Sequence, residues 1–169
     1  MSDRLPIHEA LLEEARQRVE VLVVGLMSSD PLEVAQWVPQ LRPREEDWEK
    51  AFLPHVIPAL RAYFGPIFND DPVPKPKPGQ TEVRISAAQA EHFWDKNPIS
   101  KRISVGMQKI VHVLQPGSIW IDWRYVKPGR KWGLKYNGLV YFPDEGRFAW
   151  FPFPFEALKE YYRALPDGD

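Results

Sequence analysis

Apolar positions in the first part of the chain repeat with the period of an α-helix. Between residues 7 and 27 they recur three or four positions apart, at Leu11, Ala15, Val19, Leu22 and Leu26. Charged residues occupy the positions between them, which is typical of an amphipathic helix with one face on a core. This pattern predicts a helix over residues 7–27.

Two further helical segments are predicted before residue 66. Asp30-Pro31 is a good helix start, so a short helix should run from Pro31 to about Val38, with Glu33 bonding back to the cap. Another should begin near Arg44. Prolines inside it predict a kink or break at 53–55, and Gly65-Pro66 should end it.

After Pro116-Gly117 the period changes from that of a helix to that of a strand. Apolar and polar residues alternate over 119–125, 132–142 and 147–151, with turn sequences at 127–130 and 144–146. This is the pattern of an antiparallel β-meander. A closing helix should follow over 155–165, with Leu158, Tyr161, Tyr162 and Leu165 on its inner side.

The stretch between the two patterns is less regular. Thr81 to Ile85 is typical of a short strand, and Ser86 resembles the capping start of a helix ending near Asp95. Residues 102–114 fit both a strand and a helix. The helical spacing has more matches over the longer window, so helix is favoured.

These elements predict an α+β fold in which N-terminal helices pack on a curved antiparallel β-meander and a C-terminal helix closes the structure. A length of 169 residues favours a single domain, 1–169. It divides into a helical half (5–65), a Pro-rich connector (66–79) and a sheet half (80–169). The predicted buried core includes Trp48, Phe52, Leu60, Ile121, Leu139, Trp150 and Leu158.

Composition disfavours most catalytic and metal-dependent functions. The chain has no Cys, and its four His residues do not stand at metal-ligand spacings, so we expect neither a metal nor a cofactor. Glycine-rich phosphate loops and nucleophile elbows are also missing, which disfavours an enzyme. No secretory signal or membrane-length apolar run is present, so we expect a bacterial-type cytoplasmic protein that does not contact membranes.

Positive charge is concentrated in the second half of the chain. The formal net charge is −1, but residues 83–142 hold 10 Lys and Arg against 3 Asp and Glu. Basic and aromatic residues are interleaved in the predicted hairpin at 122–136, a mixture that is typical of interaction surfaces. The alternative is that the aromatic residues belong to the buried core and the charges are solvated on a turn. The candidate partner-binding residues are Arg124, Lys127, Arg130, Lys131, Trp132 and Lys135.

One acidic residue lies inside this basic hairpin. Asp122 has two alternative interpretations: a general base facing a pocket, with Tyr136 as a second pocket residue, or one half of a cross-strand ion pair with Arg124, Lys131 or Lys135. The ion pair is favoured, because exposed pairs of this kind are common.

Three functions remain open. The first is a protein-binding or inhibitory module for an acidic protein partner, such as a bacterial immunity-type protein that neutralises a toxin. The second is a cone-shaped small-ligand binder or enzyme with a pocket between the helices and the sheet. The third is a single-stranded nucleic-acid binder that uses the basic-aromatic hairpin, which the acidic helical half and a pI of about 6.4 disfavour.

Overall fold

The computed structural model describes residues 4–95 and 97–163, and its architecture is the predicted α+β fold. Helices of the described chain are α1 (Glu9–Leu26), α2 (Pro31–Trp37), α3 (Asp47–Ala51), α4 (Ile57–Asn69), α5 (Pro98–Arg102), α6 (Gly106–Lys109) and α7 (Pro154–Arg163). The strands are β1 (Glu82–Gln89), β2 (Ile119–Val126), β3 (Leu134–Phe142) and β4 (Arg147–Trp150). They form one open, curved antiparallel sheet in the order β1-β2-β3-β4.

The sheet separates two hydrophobic clusters. On one face, Ile121 and Tyr125 of β2 pack in a cluster that includes Leu12 and Val19 of α1. On the other face, Trp120 belongs to a cluster formed with α3, α4 and α7. Strand β2 is therefore covered on both sides, and each of its residues except the half-buried Arg124 is buried.

All seven residues predicted for the core are buried, with exposed fractions from 0% to 6%. The predicted inner side of the closing helix is only partly confirmed. Leu158 is fully buried, but Tyr161 is half-buried and Tyr162 is 36% exposed. Leu165 lies outside the described residues.

The predicted break at 53–55 is confirmed, because α3 ends at Ala51 and a 3₁₀ turn, Pro54–Val56, precedes α4. The predicted stop at Gly65-Pro66 is wrong, since α4 continues to Asn69. Pro66 removes one backbone donor, and packing of the next turn compensates. Phe68, in that turn, stacks on Phe64 with ring centroids 5.4 Å apart. Because α4 extends to Asn69, the extended connector begins later than predicted.

The two capping predictions at Glu33 and Ser86 are wrong in detail. Asp30 caps α2 by accepting from the Leu32 N–H, but Glu33 accepts from the Ser28 hydroxyl instead of from the cap residue. Ser86 does not start a helix, because β1 continues through it and pairs it with Asp122. Ala87 and Ala88 bury one small side chain on each face, which favours continuation of the strand.

Residues 102–114 form no strand. Helix α5 ends at its first residue, and α6 and a 3₁₀ turn at Val111–Val113 lie within it. The apolar positions of the helical spacing, Ile103, Met107, Ile110, Val111 and Leu114, are all buried.

No helix of the described residues is both long and apolar enough to cross a membrane.

An irregularity in the β2–β3 pairing lies next to the site described below. Ile121 pairs with Leu139 and Trp123 with Tyr136, so two residues of β3 oppose one of β2. This β-bulge contains Gly138, whose φ of +84° favours glycine. A Cβ at this position would also overlap the Phe151 carbonyl oxygen.

A glycine-to-alanine pair tests the bulge. Gly138→Ala should destabilise the fold by at least about 2 kcal/mol, because it adds backbone strain and a steric overlap. Gly65→Ala is the matched control: a Cβ there meets nothing within 4 Å, and it lies inside α4. It should be neutral or stabilise by up to about 1 kcal/mol. Urea unfolding measures both, and equal stabilities for the two variants would contradict the assigned bulge.

Candidate functional site

A groove of about 420 Å³ lies between the sheet and the segment that joins α5 to α6. We call it the basic groove. Its lining includes Arg84 of β1, Arg124 of β2, Lys135 of β3, and Lys101 and Arg102 of α5, together with Ser86, Ser104, Asp122 and Trp132. Five cationic side chains and one anionic side chain thus line the same opening.

Three of the cations form a row across adjacent strands. Arg84 pairs directly with Arg124, and Arg124 pairs directly with Lys135. Paired residues point to the same face of a sheet, and adjacent strands lie about 4.8 Å apart. Like charges directly opposite each other destabilise a sheet. We call these three residues the cation row.

Most of this charge has no carboxylate partner. Among the described residues, only one groove cation forms an ion pair with a carboxylate: Lys135, with Asp122. Elsewhere in the described chain several cations are paired, as in Arg61 with Glu45 and Arg147 with Asp47, each at 2.6 Å. The basic groove is therefore a region of uncompensated positive charge.

Asp122 is buried beneath this charge, with its side chain 4% exposed. Its Oδ2 atom accepts from the Ser104 backbone N–H at 2.9 Å and from the Ser104 hydroxyl at 3.3 Å, and lies 3.3 Å from the Lys135 ammonium. Asn137 of the bulge donates to the same Ser104 hydroxyl at 3.3 Å. The bulge thus places the Asn137 side chain within hydrogen-bond distance of Ser104, the residue that holds Asp122. β-Bulges often redirect a side chain in this way next to a functional site.

The two oxygens of Asp122 differ in their hydrogen bonding. All three contacts reach Oδ2, and in the described part of the chain no donor reaches Oδ1. Among the described residues, the one fully buried side-chain polar atom without a partner is Trp123 Nε1, so Asp122 Oδ1 keeps some contact with the open groove. Burial also raises the pKa of the Asp122 carboxyl above its ordinary value, against the opposing effects of Lys135 and of the Ser104 hydrogen bonds.

Trp132 is the most exposed aromatic side chain of the groove, at 71%. The Arg124 guanidinium carbon lies 5.1 Å from its ring centroid and the Lys131 ammonium 5.6 Å. These are cation–π distances. At least one face of the ring is therefore covered by cations of the protein itself.

The structure places half of the predicted partner-binding residues in the groove. Arg124, Trp132 and Lys135 line it, whereas Lys127, Arg130 and Lys131 are exposed on the adjoining turn and do not. We call these last three residues the hairpin tip. The predicted pairing of Asp122 with Lys135 is present, but the pair is buried rather than exposed.

The two candidate pocket residues do not share a pocket. Asp122 faces the basic groove, while Tyr136 belongs to the cluster on the α1 face and donates its hydroxyl to the Lys75 carbonyl at 3.2 Å. The pairing of Tyr136 with Trp123 explains this, because Trp123 points away from Asp122 on the same strand.

Sequence reasoning missed Arg84, Lys101, Arg102 and Ser104. The first three belong to the positively charged segment 83–142, so the charge count contained the signal. These side chains lie close together because β1 pairs with β2 and because α5 packs beside the sheet. No local sequence pattern predicts either arrangement. Ser104 carried no signal, since its role comes from long-range hydrogen bonds to Asp122 and from Asn137.

The chain matches no protein family model, no curated protein and no solved structure. Among the described residues, no group of three or more His, Asp or Glu side chains is arranged to hold a metal ion. The basic groove is therefore a concave, positively charged surface of an α+β fold.

Repulsion in the cation row predicts a salt-dependent stability. Arg84→Thr removes one charge and keeps a residue that suits a strand, so it should stabilise the fold by about 0.2–1 kcal/mol at low salt. The gain should shrink near 1 M salt, where charges are screened. Arg84→Lys keeps the charge and should show no such gain. Urea unfolding at both salt concentrations measures the effect, and a gain that does not change with salt would contradict repulsion as its cause.

Proposed function

We propose that this protein is a protein-binding module that holds an acidic segment of a partner protein in the basic groove. The observation that carries the proposal is the cation row, Arg84, Arg124 and Lys135, in which like charges face one another across adjacent strands. Carboxylates of a partner would relieve this repulsion on binding. The specific form of the proposal is a bacterial, cytoplasmic, immunity-type inhibitor that neutralises a toxin.

The hairpin tip supports the same proposal. Lys127, Arg130 and Lys131 are exposed on the turn next to the groove, without ion pairs in the described residues. Positive charge at the edge of an interface accelerates encounter with an acidic partner. The groove then supplies the buried contacts that determine how long the complex lasts.

An acidic protein fits the groove better than a nucleic acid does. Bases bind single-strand surfaces by stacking on free aromatic faces, and cations already cover at least one face of Trp132. Residues 1–80, with 9 Lys and Arg against 13 Asp and Glu, would repel a long phosphate backbone.

A catalytic or ligand-binding pocket between the N-terminal helices and the sheet has less support. The β2 residues beneath α1, Ile121, Trp123 and Tyr125, are at most 1% exposed, so this interface is tightly packed. Asp122 and Tyr136 lie on opposite faces and do not combine into one site.

Affinity capture from the native cells with matched variants tests the proposal. Tagged wild type and Lys159→Glu should both retain one acidic protein, because Lys159 is exposed on α7, outside the groove lining. The double variant Arg84→Glu/Lys101→Glu should lose this protein by at least about tenfold, which corresponds to about 1.4 kcal/mol.

Two outcomes would contradict the proposal. One is equal capture by the double variant and the wild type, which would show that the groove is not the binding surface. The other is capture that nuclease treatment abolishes. A nucleic acid held through six to ten phosphates would also weaken by about 10³–10⁵ between 50 and 200 mM salt, far more than a protein interface.

A further inference from the structure

The Oδ1 atom of Asp122 has no hydrogen-bond donor among the described residues, and this points to a further role for the basic groove. We propose that Asp122 is the specificity-determining residue of the groove: its Oδ1 atom accepts a hydrogen bond from a peptide N–H of the acidic segment and repels anions that have acceptors alone, such as phosphates. This inference rests on the proposed function and names the chemistry that the groove selects.

The geometry gives Oδ1 a position that suits this role. Oδ2 is held by the backbone and hydroxyl of Ser104 and by Lys135, so the carboxylate is fixed in orientation. Asp122 lines the groove, while no donor of the described residues reaches Oδ1. Oδ1 is not among the fully buried unpartnered atoms, so it is open to the groove and free to accept from a ligand there.

An acidic peptide combines the two features that the site requires. Its side-chain carboxylates suit the guanidinium groups of Arg84 and Arg124, and its backbone provides an N–H donor a few ångströms away. A fully ionised phosphate has the negative charge and no donor. The single carboxylate among the five groove cations therefore distinguishes two ligands that positive charge alone would bind alike.

The substitution Asp122→Asn should weaken this preference. The Ser104 N–H would hold the carbonyl oxygen of the new amide in the place of Oδ2, so the amide NH₂ would occupy the place of Oδ1. The open position would change from an acceptor to a donor, and Lys135 would lose its counter-ion. The loss of negative charge strengthens the binding of both anions, whereas the loss of the acceptor weakens the binding of the peptide alone. The ratio of peptide affinity to phosphate affinity should therefore fall.

Isothermal titration calorimetry with two probes measures this ratio. The probes are a blocked hexaglutamate peptide and inorganic tripolyphosphate, at constant ionic strength and at an alkaline pH at which tripolyphosphate carries no proton. Relative to wild type, Asp122→Asn should lower the ratio of peptide affinity to tripolyphosphate affinity by about tenfold or more. Arg84→Glu should weaken both probes, and Lys159→Glu should change neither.

A third probe keeps the test valid if Asp122→Asn does not fold, which its thermal unfolding would show. A hexaglutamate peptide with N-methylated backbone amides has the same charge and no peptide N–H donors. Wild type should bind it about tenfold more weakly than the unmethylated peptide. Equal affinity of the wild type for these two peptides would overturn the assignment of Asp122.

The inference and the proposed function fail in different ways. If wild type binds neither hexaglutamate nor tripolyphosphate, both are wrong. If Arg84→Glu weakens peptide binding while Asp122→Asn leaves the ratio of the two affinities unchanged, the groove binds acidic segments but Asp122 does not select them.

Discussion

The burial of β2 on both of its faces is the constraint on which the rest of the structure depends. Helix α1 packs against Ile121 and Tyr125 on one face, and the cluster formed with α3, α4 and α7 packs against Trp120 on the other. The strand is accordingly apolar apart from Asp122 and Arg124. A charged residue in such a strand requires its own hydrogen-bond donors, because burial otherwise disfavours the charged form.

The surroundings of Asp122 follow from this requirement. The β3 bulge adds one residue opposite Asp122, and the extra residue allows Asn137 to reach Ser104, which in turn donates twice to Asp122. Lys135 adds the opposite charge. The direct pairing of Arg84 with Arg124 adds repulsion that stability does not explain. Functional sites are where such local conflicts are expected, since a partner can relieve them.

The fold was more predictable from sequence than the site, for a physical reason. Helix α1, the break at 53–55 and the meander follow from apolar periodicity and from proline, which act over a few residues. Packing of Phe68 overrode the stop expected at Pro66, and pairing with β2 overrode the helix start expected at Ser86. Arg84 and Lys101 meet Arg124 through strand pairing and the position of α5, and periodicity carries no information about either.

The most direct test of the central claim is to map where an acidic peptide binds. Two-dimensional ¹H–¹⁵N NMR during titration with hexaglutamate reports on each backbone amide and on the Trp132 indole. The account predicts that the shifted signals cluster at Arg84, Ser86, Ser104, Arg124 and Trp132, which line the groove. Shifts confined to α2 and the 70–79 connector, on the opposite side of the sheet, would contradict it.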